Sequence, residues 1–182
     1  MKLALLVLVL LLAVVAAQIG YYAPRLPAKV ASHFTASGAP DGWAPRSEFL
    51  EFYVIILLVT IVPFVLLPPI LRHIPDSLIN LPRKDYWLAP EQREETFRTL
   101  GSRMLWFGNA TLMLVSHVMG VTLAANLTPH PRLGDAALWA LVAYLAFTVV
   151  WLVSLLRYFY RKPPTNPTRL AGPPGEDRFG AA

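Results

Sequence analysis

FLEFYVIILLVTIVPFVLLPPIL, residues Phe49 to Leu71, is 23 residues long and carries one charged side chain, Glu51, near its start. A hydrocarbon core about 30 Å thick is crossed by about 20 apolar residues of helix, so this stretch is long enough to span a bilayer. In lipid the backbone N–H and C=O groups find partners only within their own segment, which makes the span a helix; barrel strands would be shorter and alternating. Pro63, Pro68 and Pro69 each remove a helical donor and crowd the preceding turn. A kink or an early helix end is therefore expected near Pro68, in a bent packing helix rather than a transport hinge.

Working outward, three more apolar runs are long enough to span: residues 3–21, 104–125 and 136–158. The fold class that follows is an all-α integral membrane protein of four transmembrane helices. Composition agrees. Of 182 residues 55% are hydrophobic and 15% charged, well below the roughly 25% of charged residues usual in soluble domains. The bilayer is the expected partner of these faces. There is no cysteine, which excludes disulfides, thiol catalysis and thiolate metal sites.

Basic residues set the expected orientation. Lys2, Arg72, Arg83, Lys84, Arg93, Arg98, Arg103, Arg157, Arg161, Lys162, Arg169 and Arg178 fall on one side, against Arg25, Lys29, Arg46 and Arg132 on the other. The richer side reads as cytoplasmic, with both termini inside and segments 22–48 and 126–135 outside, in a cell inner membrane. The net charge of +5 then reflects topology, and no nucleic-acid partner is implied. The first run has a second reading. Lys2, a Leu/Val core and Val15-Ala16-Ala17 before Gln18 also describe a secretory signal, although the run exceeds the usual 7–15-residue signal core. Between the second and third spans, residues 72–103 form the expected inner connection. Within it Pro90, with Glu91, Glu94 and Glu95 behind it and Glu94 four residues before Arg98, marks the start of an amphipathic helix. The tail 161–182 is Pro- and Gly-rich and reads as disordered.

The outer segment 22–48 is the most informative stretch. Val30, Ser32 and Phe34 alternate with Ala31 and His33 as in a short strand, and Pro40-Asp41-Gly42 has the composition of a turn in which Gly permits positive φ. Leu26, Val30, Phe34 and Trp43 are expected to bury against a surface. The loop should be shaped, with a short β element and with Trp43 folded back on the strand.

The residues Leu26, Pro27, Val30, His33, Phe34, Gly38, Pro40, Asp41, Gly42, Trp43 and Arg46, following a first membrane helix, resemble the bacterial membrane domain of unknown function numbered 1648. That domain also forms the amino-terminal part of the immunity membrane proteins of the sporulation-delaying toxin system. The resemblance covers roughly residues 5–70. A second stretch, residues 80–91 with Asn80, Pro82, Lys84, Asp85, Tyr86 and Trp87, resembles short stand-alone members of the group. The further spans and carboxy-terminal half of the immunity proteins are lacking here. The family implies a membrane fold and supplies no reaction.

His33 and Asp41 have metal-ligand chemistry. One His and one Asp eight residues apart are nevertheless more often a hydrogen-bonded loop lock, and no metal or cofactor is assigned. In the third span Asn109, Met113, Ser116, His117, Gly120 and Ala124 recur at three- and four-residue steps. Asn109 and Ser116 are expected to hydrogen-bond across helices, while His117 is a candidate ligand or proton site. His73 beside Arg72 reads as a headgroup contact. Asn126-Leu127-Thr128 matches a glycosylation acceptor, discounted at a membrane surface in a chain of bacterial resemblance. No phosphate loop, HExxH or GxSxG motif occurs.

The expectation is a non-enzymatic binding, accessory or envelope-stress, immunity-like protein that recognises a protein or peptide through the outer loop His33, Phe34, Pro40, Asp41, Gly42, Trp43 and Arg46. The alternative is a membrane enzyme or transporter in which His33, Asp41 and His117 share one outer cavity.

Overall fold

The computed structural model describes residues 1–161; the expected disordered tail lies outside them from residue 162 onward. Helix α1 (Lys2–Tyr22) leads into an antiparallel hairpin of β1 (Lys29–Phe34) and β2 (Pro40–Pro45), then α2 (Arg46–Leu71), a 3₁₀ turn at Asp76–Leu78, a one-turn α3 (Lys84–Trp87), α4 (Pro90–Ala125) and α5 (Ala136–Tyr160). Four of these helices are long and apolar enough to cross a membrane. The all-α membrane architecture with a small β element after the first helix is thus the observed one.

Helix α4 is the axis of the bundle, with α1, α2 and α5 packed on it. It starts with Pro90 at its first position and Glu91 in its first turn, where a missing N–H costs nothing and a carboxylate meets the positive helix end. It then runs unbroken for 36 residues, about 54 Å at 1.5 Å per residue. The amphipathic helix expected over 90–103 and the span expected from Met104 are therefore one element. Gly101 does not end it. That glycine faces α2: a Cβ there would lie 3.0 Å from Pro68 Cβ, and one at Gly108 would lie 2.7 Å from Phe64 Cβ. Small residues at these positions let two helix backbones approach closely. Helix α2 likewise continues through Pro68 and Pro69 to Leu71, so the early end expected near Pro68 does not occur. Neighbouring helices stabilise such a segment despite its lost backbone bonds.

The core joins three of the four long helices to the hairpin. Leu8, Tyr53, Leu112 and Leu123 from α1, α2 and α4 form one buried cluster with Leu26 and Val30. Bonds from the hairpin to Asn126 and Leu133 bring segments 22–48 and 126–135 to one end of the bundle. The opposite, basic end is tied by the Arg93–Asp76 ion pair and by Arg72–Glu94 at 3.1 Å. Arg98 pairs with Glu95, three residues back, instead of the expected Glu94.

Candidate functional site

The hairpin carries most of the expected recognition residues, and its geometry starts from a different turn. Pro40, Asp41 and Gly42 lie within β2. The reversal falls at residues 35–39, where Thr35 N–H donates to Ala39 O, Gly38 N–H donates to Thr35 O and Gly38 has φ +79°. Gly38 is the positive-φ glycine, and Gly42 is not. Gly42 is needed for another reason: a Cβ there would lie 2.8 Å from the Cβ of His33, its partner across the ladder.

The ladder is irregular on both strands. Ala31 faces Trp43, His33 faces Gly42 and Phe34 faces Pro40, which leaves Ser32 and Asp41 without a partner in the register. A bulge of this kind re-aims side chains. Here the Asp41 carboxylate accepts a hydrogen bond from His33 Nδ1 at 2.5 Å, on side chains that are 72% (His33) and 44% (Asp41) exposed. The pair is a solvent-facing clasp. Trp43 returns to the strand as expected, opposite Ala31, but it is 47% exposed, so the expected burial of its ring is overturned. Of the four apolar residues expected to bury, Leu26 and Val30 are in the core, Phe34 is half-buried and Trp43 is presented outward.

Three attachments fix the hairpin to the bundle. Asn126, just past the end of α4 and 3% exposed, accepts a hydrogen bond from Ala31 N–H at 2.6 Å and donates to Ala31 O at 2.9 Å. Its side-chain amide thus pairs with β1 as a neighbouring strand residue would. Its Nδ2 also donates to Thr122 O at 3.0 Å, so the nitrogen of the glycosylation-like sequence is used structurally. Arg46 donates through its guanidinium to Leu26 O at 3.1 Å and through its backbone N–H to Ala28 O. Leu133 N–H donates to Gly38 O at 2.9 Å, clasping the turn from the α4–α5 loop.

Inside the bundle the polar residues of α4 divide between two sides. Asn109 donates to Ala4 O at 2.8 Å, and Ser116 donates to Gln18 Oε1 at 3.2 Å, which also accepts from Tyr53 OH at 3.1 Å. Gln18 therefore links α1, α2 and α4 at one polar node. His117 does not join it. At 100° per residue the neighbour of Ser116 points well away; His117 is exposed and lines an apolar groove of about 430 Å³ between α4 and α5 with Met113 and Tyr144. The single face expected for Asn109, Ser116 and His117 is thus two. Likewise neither His33 nor Asp41 lines the groove that His117 lines. Among the described residues no cluster of three His, Asp or Glu side chains has a metal-binding arrangement.

In the 80–91 stretch the structure singles out one member. Trp87 is buried and donates Nε1–H to Phe159 O at 2.9 Å, with Tyr158 stacked at 5.3 Å and the Arg161 guanidinium over both rings. Tyr86 lies edge-on to it; Asn80 and Asp85 are exposed, and Pro82 and Lys84 are half-buried. This cluster anchors the end of α5. Gln18 and Asn126 are the residues that sequence reasoning missed as structural centres. The available signal was an amide at the end of an apolar span, which normally turns toward the bundle.

No curated protein and no solved structure matches the chain. Residues 5–58 match the family model described as Domain of unknown function (DUF1648). The match ends inside α2, before the 80–91 stretch, and takes in most of α1, the whole hairpin and the Gln18–Tyr53 link. Over residues 5–58, 54 of its 182 residues, this multi-pass membrane protein is similar to that family.

Proposed function

We propose that the protein is a non-enzymatic membrane receptor or accessory protein whose braced hairpin recognises a protein or peptide on the extracytoplasmic side of the bacterial inner membrane, with both termini cytoplasmic. One observation carries this reading. The hairpin is held by a buried side-chain amide, an arginine and the α4–α5 loop, while a half-exposed tryptophan and a His–Asp clasp face away from the core. A large aromatic beside polar groups, on a backbone that needs no ordering at the moment of contact, is the chemistry of a binding hot spot. The family resemblance supports an immunity-like or envelope-stress role for this receptor. The rival with a shared polar cavity has no geometric support, because His117 opens on the α4–α5 groove.

The test is site-specific photocrosslinking in intact cells. A photoreactive residue at position 43 should give a discrete protein adduct that is lost in Asp41→Ala, whereas one at position 139, on the highly exposed Trp139 of α5, should not. Adducts to lipid only at both positions would refute recognition through the hairpin.

A further inference from the structure

Helices α1 and α2 pack on α4, and the Tyr53–Gln18 bond joins them in the half nearer the hairpin. At the basic end a crevice of about 510 Å³ lies between them with α4 as its floor. Leu5, Phe64, Val65, Pro68 and Leu105 make its walls, and Arg72 and His73 stand at its end. Two smaller grooves, of about 430 and 330 Å³, flank α5, and neither is lined by an arginine or lysine.

The lining selects the occupant. From Phe64 to Arg72 the crevice follows eight residues of helix, about 12 Å at 1.5 Å per residue, with apolar walls and a guanidinium at one end. An apolar slot ending in a cation complements an acyl chain that carries an anionic headgroup, whereas an apolar helix of a second copy would offer that cation no anion. Arg72 immediately follows the last residue of α2, at the level where the helix leaves the apolar region. Its partner Glu94 is 75% exposed, so that pair is weak, and a guanidinium carries five N–H donors to share.

We propose that the crevice is a binding site for one anionic glycerophospholipid, an acyl chain lying along Phe64, Pro68 and Leu105 and the phosphate held at the mouth by Arg72, with His73 beside it. The inference is independent of the hairpin reading.

The test is native mass spectrometry of the full chain in detergent, titrated with dioleoyl phosphatidylglycerol or dioleoyl phosphatidylcholine. One phosphatidylglycerol per chain should bind in preference. Arg72→Gln should weaken it about fivefold, the equivalent of the roughly 1 kcal/mol that one basic side chain contributes at an anionic surface, and Arg72→Lys should recover most of that. Leu5→Trp, which fills the crevice from a position already 43% exposed, should abolish the preference without lowering thermal stability. Equal binding of the two lipids, an unchanged preference in Leu5→Trp, or displacement by glycerol phosphate alone would each overturn the proposal.

Discussion

Asn126 is the residue on which the hairpin depends most directly. Asn126→Ala leaves the buried Ala31 N–H and C=O without partners, at a cost of about 1–3 kcal/mol for an unsatisfied buried group. Asn126→Asp keeps the acceptor but sets a second oxygen against Ala31 O and Thr122 O, so it should destabilise at least as much; thermal unfolding in detergent measures both. Trp43→Ala should behave otherwise. A fully buried tryptophan would cost about 3–5 kcal/mol, but the ring is 47% exposed, and the loss should stay below about 1 kcal/mol, near the range of surface substitutions. A melting shift as large as that of Asn126→Ala would refute the outward placement. Gly42→Ala tests the contact with His33. Its Cβ would meet the His33 Cβ at 2.8 Å, an overpacking cost of about 1–3 kcal/mol. Because the clash is with that one carbon, His33→Gly in the same chain should return much of the stability.

At the scale of elements, the hairpin was legible as a strand followed by turn-forming residues, yet the turn itself was placed wrongly. Pro40-Asp41-Gly42 has turn composition, but the reversal at 35–39 is held by Leu133 N–H on Gly38 O, a contact with a loop about a hundred residues away that no local pattern contains. A shaped hairpin predicts that protease added from its side leaves residues 29–45 uncut in wild-type protein and cuts there in Asn126→Ala. Helix α4 was legible in two halves, since charge over 91–103 and apolarity over 104–125 look like different solvents. Its continuity is supported by packing on α2, which approaches Gly101 and Gly108 too closely for a side chain. Because the chain has no cysteine, a Pro68→Cys, Gly101→Cys double variant reads this packing cleanly. The two Cβ positions, 3.0 Å apart, should join under mild oxidation, given a usual disulfide Cβ separation of about 3.8 Å. Failure to cross-link would show that α2 and α4 do not meet there.

For the whole molecule, the basic asymmetry predicts that reporter fusions after Ser37 and Asp135 report outside and those after Asp85 and Arg161 inside. A cytoplasmic signal at Ser37 would overturn the orientation. The bundle also bears on the first run. Helix α1 supplies Ala4, Leu8 and Val15 to the core, accepts the Asn109 bond at Ala4 O and holds the Gln18 node. Cleavage after Ala17 would strip the inner bundle of one wall. The intact mass of purified protein should therefore include residues 1–17, and an amino terminus at Gln18 would refute this.

The sequence by itself determined the four spans, their helical state, the start of α4 at Pro90 and the presence of a β element after α1. The spans and the start of α4 are set by local terms: transfer of about 20 apolar residues into lipid, satisfaction of a segment's own backbone, the fixed φ of proline. It did not determine which side of α4 a polar residue takes. Ser116 and His117 are adjacent in the chain, and only the positions of α1 and α5 send one to Gln18 and the other to an apolar groove. Nor did it show that Asn126 completes the edge of β1 or that Asn109 reaches Ala4, contacts spanning 95 and 105 residues. Those bonds exist because burial in a low-dielectric bundle makes an unpaired amide N–H costly, and the carbonyl that relieves the cost is chosen by tertiary packing; the Oδ1 of Asn109 stays buried without a partner.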